Sequence, residues 1–593
     1  MASSCSVNSP MPLTKTTFSE ASSTVTGFID AKFEDGYLVT VKIESEQFKG
    51  VLYKIPVTQE LQNQNPPNEE AESTLTEKHY ITEINMPHAF DKLGSDDKLT
   101  AQVVICSIIA AFGGLMFGYD IGISGGVTSM DDFLEKFFPK VYVRKHRAKE
   151  DNYCKYDNQM LQLFTSSLYL SAIVCCFFAS KCCKRFGRKL TMQVASLFFF
   201  IGVILNTAAI DLPMLIIGRL FLGAGVGFGN QAVPLFISEI APPKYRGGLN
   251  ILFQMLITIG ILCANIINYL TSKIHPNGWR ISLGGAAFPA IFLGLGSLLI
   301  VETPTSLIER GQNEQGKKTL IKIRGVDDVE KEYQEILQAT QLAQQIKHPF
   351  KNLMEKSSRP QLICGTILQI FQQFTGINVV MFYAPVLFQT MGFGGNASLL
   401  SAIVPGSVNV ISTLVAILGV DRFGRRGLLV EGAAQMFIAQ CITGGILAVH
   451  LKSTNEIPKY YAHIVVAFIC VFVMGFAWSW GPLGWLIPSE IFPLETRTAG
   501  FFFAVSMNMI CTFIIAQAFL TMLCHMRSGI FFFFAVWIVV MGTFAFVLLP
   551  ETKGIPIDEM NERAWKKHWF WKRYFNNDSA DHGDHQDAKI SEN

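Results

Sequence analysis

Residues 181–205 read KCCKRFGRKLTMQVASLFFFIGVIL. Lys181, Lys184, Arg185, Arg188 and Lys189 crowd together with no acid among them, and an uncharged apolar run follows at once. A helix needs about 20 apolar residues to cross roughly 30 Å of hydrocarbon, and short basic loops stay on the cytoplasmic side. The stretch therefore reads as a cytoplasmic turn between two membrane-spanning helices. Working outward, twelve such runs are centred near Ile109, Val174, Phe199, Phe221, Ile257, Leu293, Ile370, Leu414, Gly444, Val471, Ile514 and Val539. The chain has 593 residues, 50% hydrophobic and only 16% charged, which excludes an ordinary soluble multidomain enzyme. Its net charge of +2 offers no electrostatic reason to bind nucleic acid.

The turn after the eighth run, Asp421 to Arg426, carries Arg422, Arg425 and Arg426. Both basic turns lie between an even and an odd span, so both termini are expected in the cytoplasm. Loop 131–159 is basic too, but Asp131, Asp132, Glu135, Glu150, Asp151 and Asp157 accompany its cations, and the two short loops outvote it. The first 30 residues lack a basic start and an apolar core, so the first span is expected to act as the insertion signal. The expected organisation is a soluble extension over 1–90, a six-helix bundle over 91–302 with an extracellular lid at 131–159, and a helical cytoplasmic linker over 303–358. A second six-helix bundle over 359–550 and a cytoplasmic tail over 551–593 complete it. Alternating charges in the linker, Lys317, Lys318, Lys322 and Arg324 followed by Asp327, Asp328, Glu330 and Glu332, suit solvated helices.

The two halves share their punctuation at a nearly constant offset. Ser238-Glu239-Ile240-Ala241-Pro242 with Arg246 recurs as Ser489-Glu490-Ile491-Phe492-Pro493 with Arg497. Arg185-Phe186-Gly187-Arg188-Lys189 recurs as Arg422-Phe423-Gly424-Arg425-Arg426, and Glu302-Thr303 as Glu551-Thr552. Three matches in order indicate an all-α membrane protein of two parallel six-helix repeats, an architecture that places a binding site near the midplane between repeats. Several motifs, Phe117 to Gly126, Phe371-Gln372-Gln373-Phe374-Thr375-Gly376-Ile377-Asn378, Ser407-Val408-Asn409, Trp478-Ser479-Trp480-Gly481-Pro482 and Pro550-Glu551-Thr552-Lys553-Gly554, resemble the plant sugar transport proteins. These are monosaccharide/proton symporters of the sugar-porter branch of the major facilitator superfamily, and the resemblance covers roughly residues 90–575.

A charge inside a span is costly and normally faces a cavity or a partner. Asp120 lies near the end of the first span, and Arg219 follows Gly218 within the fourth. A carboxylate beside an arginine stays ionised, whereas one desolvated in apolar surroundings is pushed towards neutrality. Alternation between those surroundings lets a site take a proton outside and release it inside. Asp120 is accordingly expected to accept the proton with Arg219 as its partner, roles the resemblance also implies. The competing reading is a static ion pair clamping two helices.

Sugar hydroxyls call for neutral groups that both donate and accept, as amides do. Gln372, Gln373 and Asn378 lie in the seventh run, where Thr375-Gly376 offers a place to unwind and turn all three to one cavity. Gln254, Thr258, Ile261 and Asn265 share a stripe of the fifth run, and Asn508 and Thr512 are one turn apart in the eleventh. The resemblance implies sugar contact for Gln254, Gln372, Gln373, Asn378, Asn409, Trp485 and Asn508, with Phe117, Ile121, Ile261, Gly481 and Thr512 as walls. The alternative for each amide is an interhelical hydrogen bond, and Asn265 keeps that reading. Arg185, Arg188, Glu239 and Arg246, with Arg422, Arg425, Glu490 and Arg497, look like a cytoplasmic set of ion pairs that breaks on each cycle.

Cys154 and Cys524 are both expected outside, where an oxidising environment permits a bridge. The resemblance supports that pair, two free thiols being the alternative. Cys175-Cys176 and Cys182-Cys183 have no ligand partners at zinc spacing; no metal or other cofactor is expected, and palmitoylation of the juxtamembrane pair is a lesser reading. Gly223 to Gly229 reads as close helix packing rather than a nucleotide loop, and Pro405, where the resembled family more often has a small or polar residue, is expected to alter the eighth span. Asn396-Ala397-Ser398 is a glycosylation sequon next to the membrane.

The alternation of Val39, Val41 and Ile43 after Asp35-Gly36 reads as a β hairpin within Ser23 to Pro56, before an acidic linker at Asn63 to Glu77. Residues 27–54 resemble the linker region of plant proteins that join an AT-rich-interaction domain to a high-mobility-group box. A fused gene model and a genuine regulatory extension both account for that segment. The whole reads as a plasma-membrane symporter, active as a monomer, whose partners are a monosaccharide, the proton and the bilayer. A sugar sensor without net transport and a passive uniporter are the rivals.

Overall fold

The computed structural model describes residues 15–20, 23–33, 36–43, 46–53, 99–146, 153–345, 349–390, 395–450, 458–555 and 560–575. Chain contacts divide it into Met1–Asp96 and Asp97–Asn593. The first unit is an antiparallel meander of β1 (Lys15–Glu20), β2 (Ser23–Phe33), β3 (Gly36–Ile43) and β4 (Glu46–Tyr53), in that order. The expected hairpin joins β2 to β3, with Phe33 opposite Gly36 and a register shift between Ile29 and Ala31. β1 lies outside the segment expected to pair, because Lys15–Glu20 has too few apolar residues to show alternation. The acidic stretch Asn63 to Glu77 lies outside the described residues.

In the second unit, twelve helical segments are long and apolar enough to cross a membrane. They are Ala101–Val127, Gln159–Phe186, Arg188–Thr207, Leu212–Ile240, Pro243–Thr271 and Gly278–Leu299, then Lys356–Gln389, Ala397–Phe423, Arg425–His450, Tyr460–Ile491, Arg497–Met526 and Gly529–Val547. Local chemistry sets several boundaries. Thr100 Oγ1 accepts from Val103 N at the start of the first span, Asn158 Oδ1 from Met160 N and Leu161 N at the second, and Asp211 Oδ1 from Met214 N at the fourth. Gly187 and Gly424, with φ of 96° and 81°, end the second and eighth spans and turn the chain into the third and ninth. The eighth-span helix runs on through Pro405, and Asn396 falls in its first turn.

Glycine governs how closely the spans approach. A Cβ on Gly118 would stand 2.0 Å from Ile257 O, so the first and fifth spans touch backbone to backbone. Gly223 meets Leu168 O of the second span and Gly225 meets Ala195 O of the third, which accounts for the glycine run as packing. Between halves, the fifth span packs on the eighth, the second on the eleventh and the first on the end of the seventh. Leu299, Leu418 and Val536 are among the exposed apolar residues on the outer faces.

Three of the described spans are broken, the sixth at Gly285-Ala286 between helices Gly278–Gly284 and Ala287–Leu299. The seventh consists of helices Arg359–Phe374 and Ile377–Thr390, parted at Gly376 with φ 86°, where the Thr375-Gly376 pair was expected to unwind. It bends again at Tyr383 before Pro385. The tenth divides at Ser479 (φ −125°, ψ −92°) between Lys459–Trp478 and Trp480–Ile491, a break that uninterrupted hydropathy concealed. Helices Pro304–Glu309, Asn313–Arg324, Glu330–Gln345 and Pro349–Asn352 connect the halves at what is called the linker end below. The opposite, lid end carries helices Asp131–Phe137 and Pro139–Lys145. There Phe133 packs against Phe164 and Trp279, and Arg144 Nη1 donates to Asp157 O at 2.7 Å.

Candidate functional site

Asp120 and Arg219 meet inside the first half. Arg219 Nη1 donates to Asp120 Oδ1 at 2.5 Å, and both side chains are buried. The guanidinium has two further neighbours that spacing did not reveal. Its Nη2 donates to Ser124 Oγ at 2.9 Å, and its carbon lies 4.1 Å from the centre of the Phe164 ring. Ser124 is one turn beyond Asp120 on the same helix, so the spacing was available, but hydroxyls are too common in spans to single it out. Phe164 belongs to the second span and was invisible without the fold.

The amides expected to contact sugar converge from several helices. Gln372 Nε2 donates to Trp480 O at 3.1 Å and Gly481 O at 2.9 Å, both at the broken tenth span. Gln372 Oε1 accepts from Asn508 Nδ2 at 2.7 Å and from Gln373 Nε2 at 3.3 Å. Asn378 Nδ2 donates to Gln373 Oε1 across the Gly376 break. The kink thus brings together side chains that a continuous helix would separate by about 140°. Gln254 reaches this group from the first half: its Nε2 lies 3.3 Å from the Cβ position that Gly481 leaves vacant. Trp485 stands edge-on to Phe253 with ring centres 5.4 Å apart.

Other members are placed less directly. Asn409 Nδ2 lies 3.8 Å from Met381 Sδ, while its buried Oδ1 has no protein partner. Thr512 Oγ1 donates to Asn508 O at 2.8 Å and so steadies Asn508. Phe117 and Ile121 lie on the helix that carries Asp120, and Ile261 is buried on the fifth span. Asn265 Nδ2 donates to Ala402 O at 3.3 Å between halves, and Thr258 Oγ1 bonds Met255 O within its own helix. Gln369, which had not been singled out, accepts from Asn508 Nδ2 at 2.6 Å and donates to Gly484 O. It lies one turn before Gln372 and Gln373, a position that a search for glutamines on one helical face would have found.

The linker end holds two pseudo-symmetric charge networks. Arg188 pairs with Glu239 and Glu309, each at 2.8 Å, and Arg425 with Glu490 at 2.9 Å and Asp421 at 3.1 Å. Glu302 accepts from the backbone N–H groups of Arg188 and Lys189, and Glu551 from those of Arg425 and Arg426. Each acid therefore caps a helix N-terminus, where negative charge is favoured. Thr303 and Thr552 bond Glu239 and Glu490 at 2.7 and 2.9 Å, which explains the repeated Glu-Thr pairs.

Of the eight residues expected at the gate, six enter these charge networks and two are exposed. Arg185 and Arg422, placed in the gate from sequence, are exposed, because they precede the glycine turn and point away from the network that Arg188 and Arg425 enter. The charges of Arg246 and Arg497 also act across the halves: Arg246 is within electrostatic reach of Glu490, and Arg497 of Glu239. Fifth and eleventh spans each deliver an arginine to the opposite bundle, a crossing that sequence proximity cannot show. Asn250 Nδ2 adds a bond to Ser489 Oγ at 2.8 Å. At the lid end, Ser166 bonds Gln517 at 2.6 Å, Gln162 bonds Thr521 at 3.0 Å, and a disulfide joins Cys154 to Cys524 with Cα atoms 4.6 Å apart. The halves are therefore held together at both ends.

Residues 106–564 match the family described as sugar (and other) transporter. Residues 24–56 match a different family, the metabolic network modulator 1 small beta sheet domain. Sugar transport protein 6 of Arabidopsis thaliana is 65% identical over 477 residues, covering 80% of this chain and 94% of its own. Sugar transport protein MST4 of Oryza sativa subsp. japonica is 60% identical over 485 residues, 82% of this chain and 94% of its own. Among solved structures, the proton:xylose symporter XylE bound to 6-bromo-6-deoxy-D-glucose superposes with a TM-score of 0.68 at 26% identity, covering 78% of this chain and 99% of that one. An inward-open form of XylE from E. coli gives a TM-score of 0.58.

Proposed function

The chain belongs to the sugar transporter family and is an integral multi-pass membrane protein; from that premise we propose that it moves monosaccharides into the cell in symport with protons. The observation that carries the reading is the buried Asp120–Arg219 pair on the helix that also bears Phe117 and Ile121. A proton on Asp120 cancels the charge that holds Arg219, leaving Ser124 and Phe164 to accommodate the guanidinium. The first span is then less tightly tied to the fourth. Its movement is transmitted to Phe117 and Ile121, and through the close contact at Gly118 to the fifth span carrying Gln254 and Ile261.

In this reading the sugar lies between the bundles. Gln254 binds it from one side, and Gln372, Gln373, Asn378, Asn409 and Asn508 from the other, with Trp485, Gly481 and Thr512 shaping the wall. Entry requires hydroxyls to replace bonds that the amides make with one another, such as Gln372 to Asn508. Net binding energy is then small per bond, which suits a substrate that must also leave. The crossed arginines and both charge networks close the linker end until the bundles rock. The basic turns at 181–189 and 421–426 support a cytoplasmic position for that end and for both termini, with the plasma membrane supplying the proton gradient. The protein works as a monomer, since each bundle pair forms a complete site.

Uptake of labelled hexoses by transport-deficient yeast at two external pH values, with a protonophore control, tests the proposal. Accumulation that falls with rising external pH and collapses with the protonophore is expected. Equilibration without accumulation would favour a uniporter, and saturable binding without uptake a sensor.

A further inference from the structure

After the twelfth span ends at Val547, the chain folds back against that same end. Asn561–Trp565 and Trp571–Tyr574 form two short helical turns. Trp571 Nε1 donates to Leu548 O at 2.6 Å and Trp569 Nε1 to Val547 O at 3.2 Å. Trp565 and Trp571 are buried, with ring centres 5.9 Å apart. The segment is thus fastened by its aromatic side at the level where the span leaves the hydrocarbon.

Its other side is cationic. Arg563, Lys566, Lys567, Lys572 and Arg573 are all exposed, and Glu562, bound to Lys566, is the one acid among described residues 560–575. His568 adds no charge near neutral pH, since burial and the nearby Arg426 hold it below its usual range. Lys553 Nζ bonds Arg422 O at 2.9 Å, which joins the basic turn at Arg422 to the same rim. Exposed apolar rings border the cations: Trp569 is 63% exposed, Phe423 73% and Phe546 60%.

We propose that this rim is a docking surface for anionic phospholipid headgroups in the leaflet it faces. Clusters of four to eight cations beside a span attract such lipids, at about 1 kcal/mol, or about fivefold, per charge near the surface. An exposed indole at the span end suits the boundary between headgroups and acyl chains. A soluble acidic partner would meet the same charges but would not account for the rings beside them. The backbone is already pinned by Trp569 and Trp571, so binding needs little ordering of the chain.

The test reconstitutes the full chain in vesicles and compares how strongly spin-labelled phosphatidylserine and phosphatidylcholine are immobilised by it. Selection for phosphatidylserine that weakens with salt is expected, and removing three charges in the triple variant Lys566→Gln, Lys567→Gln and Lys572→Gln should weaken it by up to about a hundredfold. The corresponding triple Lys→Arg variant should retain it. Size-exclusion elution and circular dichroism of the solubilised variants report that they are folded, and the salt titration of the unmodified chain decides the matter should the glutamine variant not fold. No selection by the unmodified chain, or unchanged selection in a folded glutamine variant, overturns the proposal. Vesicles carrying the labelled lipid in both leaflets make the result independent of the transport reading and of topology.

Discussion

Asp120→Asn separates proton coupling from structural clamping. A membrane potential of about 100 mV contributes roughly 2.3 kcal/mol per charge, and one pH unit about 1.4 kcal/mol more. Together these support accumulation of a few hundred-fold, about one decade per 1.4 kcal/mol. The variant keeps the shape of the side chain but cannot lose a proton, so accumulation should fall to near unity while sugar exchange down a gradient continues. The same change leaves Arg219 buried without a counter-charge, which costs on the order of 3–5 kcal/mol. Ser124 Oγ at 2.9 Å and the Phe164 face at 4.1 Å soften that loss towards its lower end. Thermal unfolding in detergent should therefore fall for Asp120→Asn and recover in Asp120→Asn/Arg219→Gln, which removes the stranded cation. Proteoliposomes with an imposed pH gradient and potential give the accumulation ratio. Unchanged, pH-dependent accumulation in Asp120→Asn would refute proton acceptance by Asp120. A double variant no more stable than the single one would refute the buried-charge argument.

Gln372→Ala removes a side chain bonded to Trp480, Gly481 and Asn508, so half-saturation for sugar should rise about tenfold to a hundredfold, at about 1 kcal/mol per net bond lost; unaltered sugar affinity would leave it a purely structural link. Gly118→Leu drives a side chain into the Ile257 backbone and should abolish folded protein on size-exclusion chromatography, whereas a change at Gly427, which faces open space, should be tolerated. Cys154→Ser should lower stability by about 2–4 kcal/mol in thermal scans, and Cys154 and Cys524 should resist alkylation until reduced. Glu309→Gln should loosen the first-half network and raise protease cleavage in the linker, without the same effect from Glu314→Gln on the exposed face.

The legible part of this protein was carried by local chemistry. Lys181 to Lys189 and Asp421 to Arg426 marked the turns, and the apolar runs between such marks are the observed spans. Asp120 and Arg219 stood out because charge is scarce where they lie. Less legible were features that depend on a second segment. The break at Ser479 lies beside Gly481-Pro482, a helix-breaking pair that average hydropathy over the span did not register. Gln369 was passed over in the sequence, and it is Asn508, from the eleventh span, that bridges it to Gln372. Arg188 and Arg185 belong to one motif, yet only the former enters the buried network.

By itself, the amino-acid sequence determined the number of spans, the twofold repeat, the meander's central hairpin and the buried charged pair Asp120 and Arg219. The spans and the charged pair follow from the cost of exposing a peptide or a charge to hydrocarbon, which each segment meets alone, and the hairpin from its turn residues and alternation. Tertiary structure decided which of those side chains meet. It turned Asn378 back to Gln373 across Gly376, set Phe164 over Arg219, and crossed Arg246 and Arg497 to the opposite halves. Partner choice depends on how closely glycine-lined helices approach and on where they break, and these distances arise only when all twelve helices pack together.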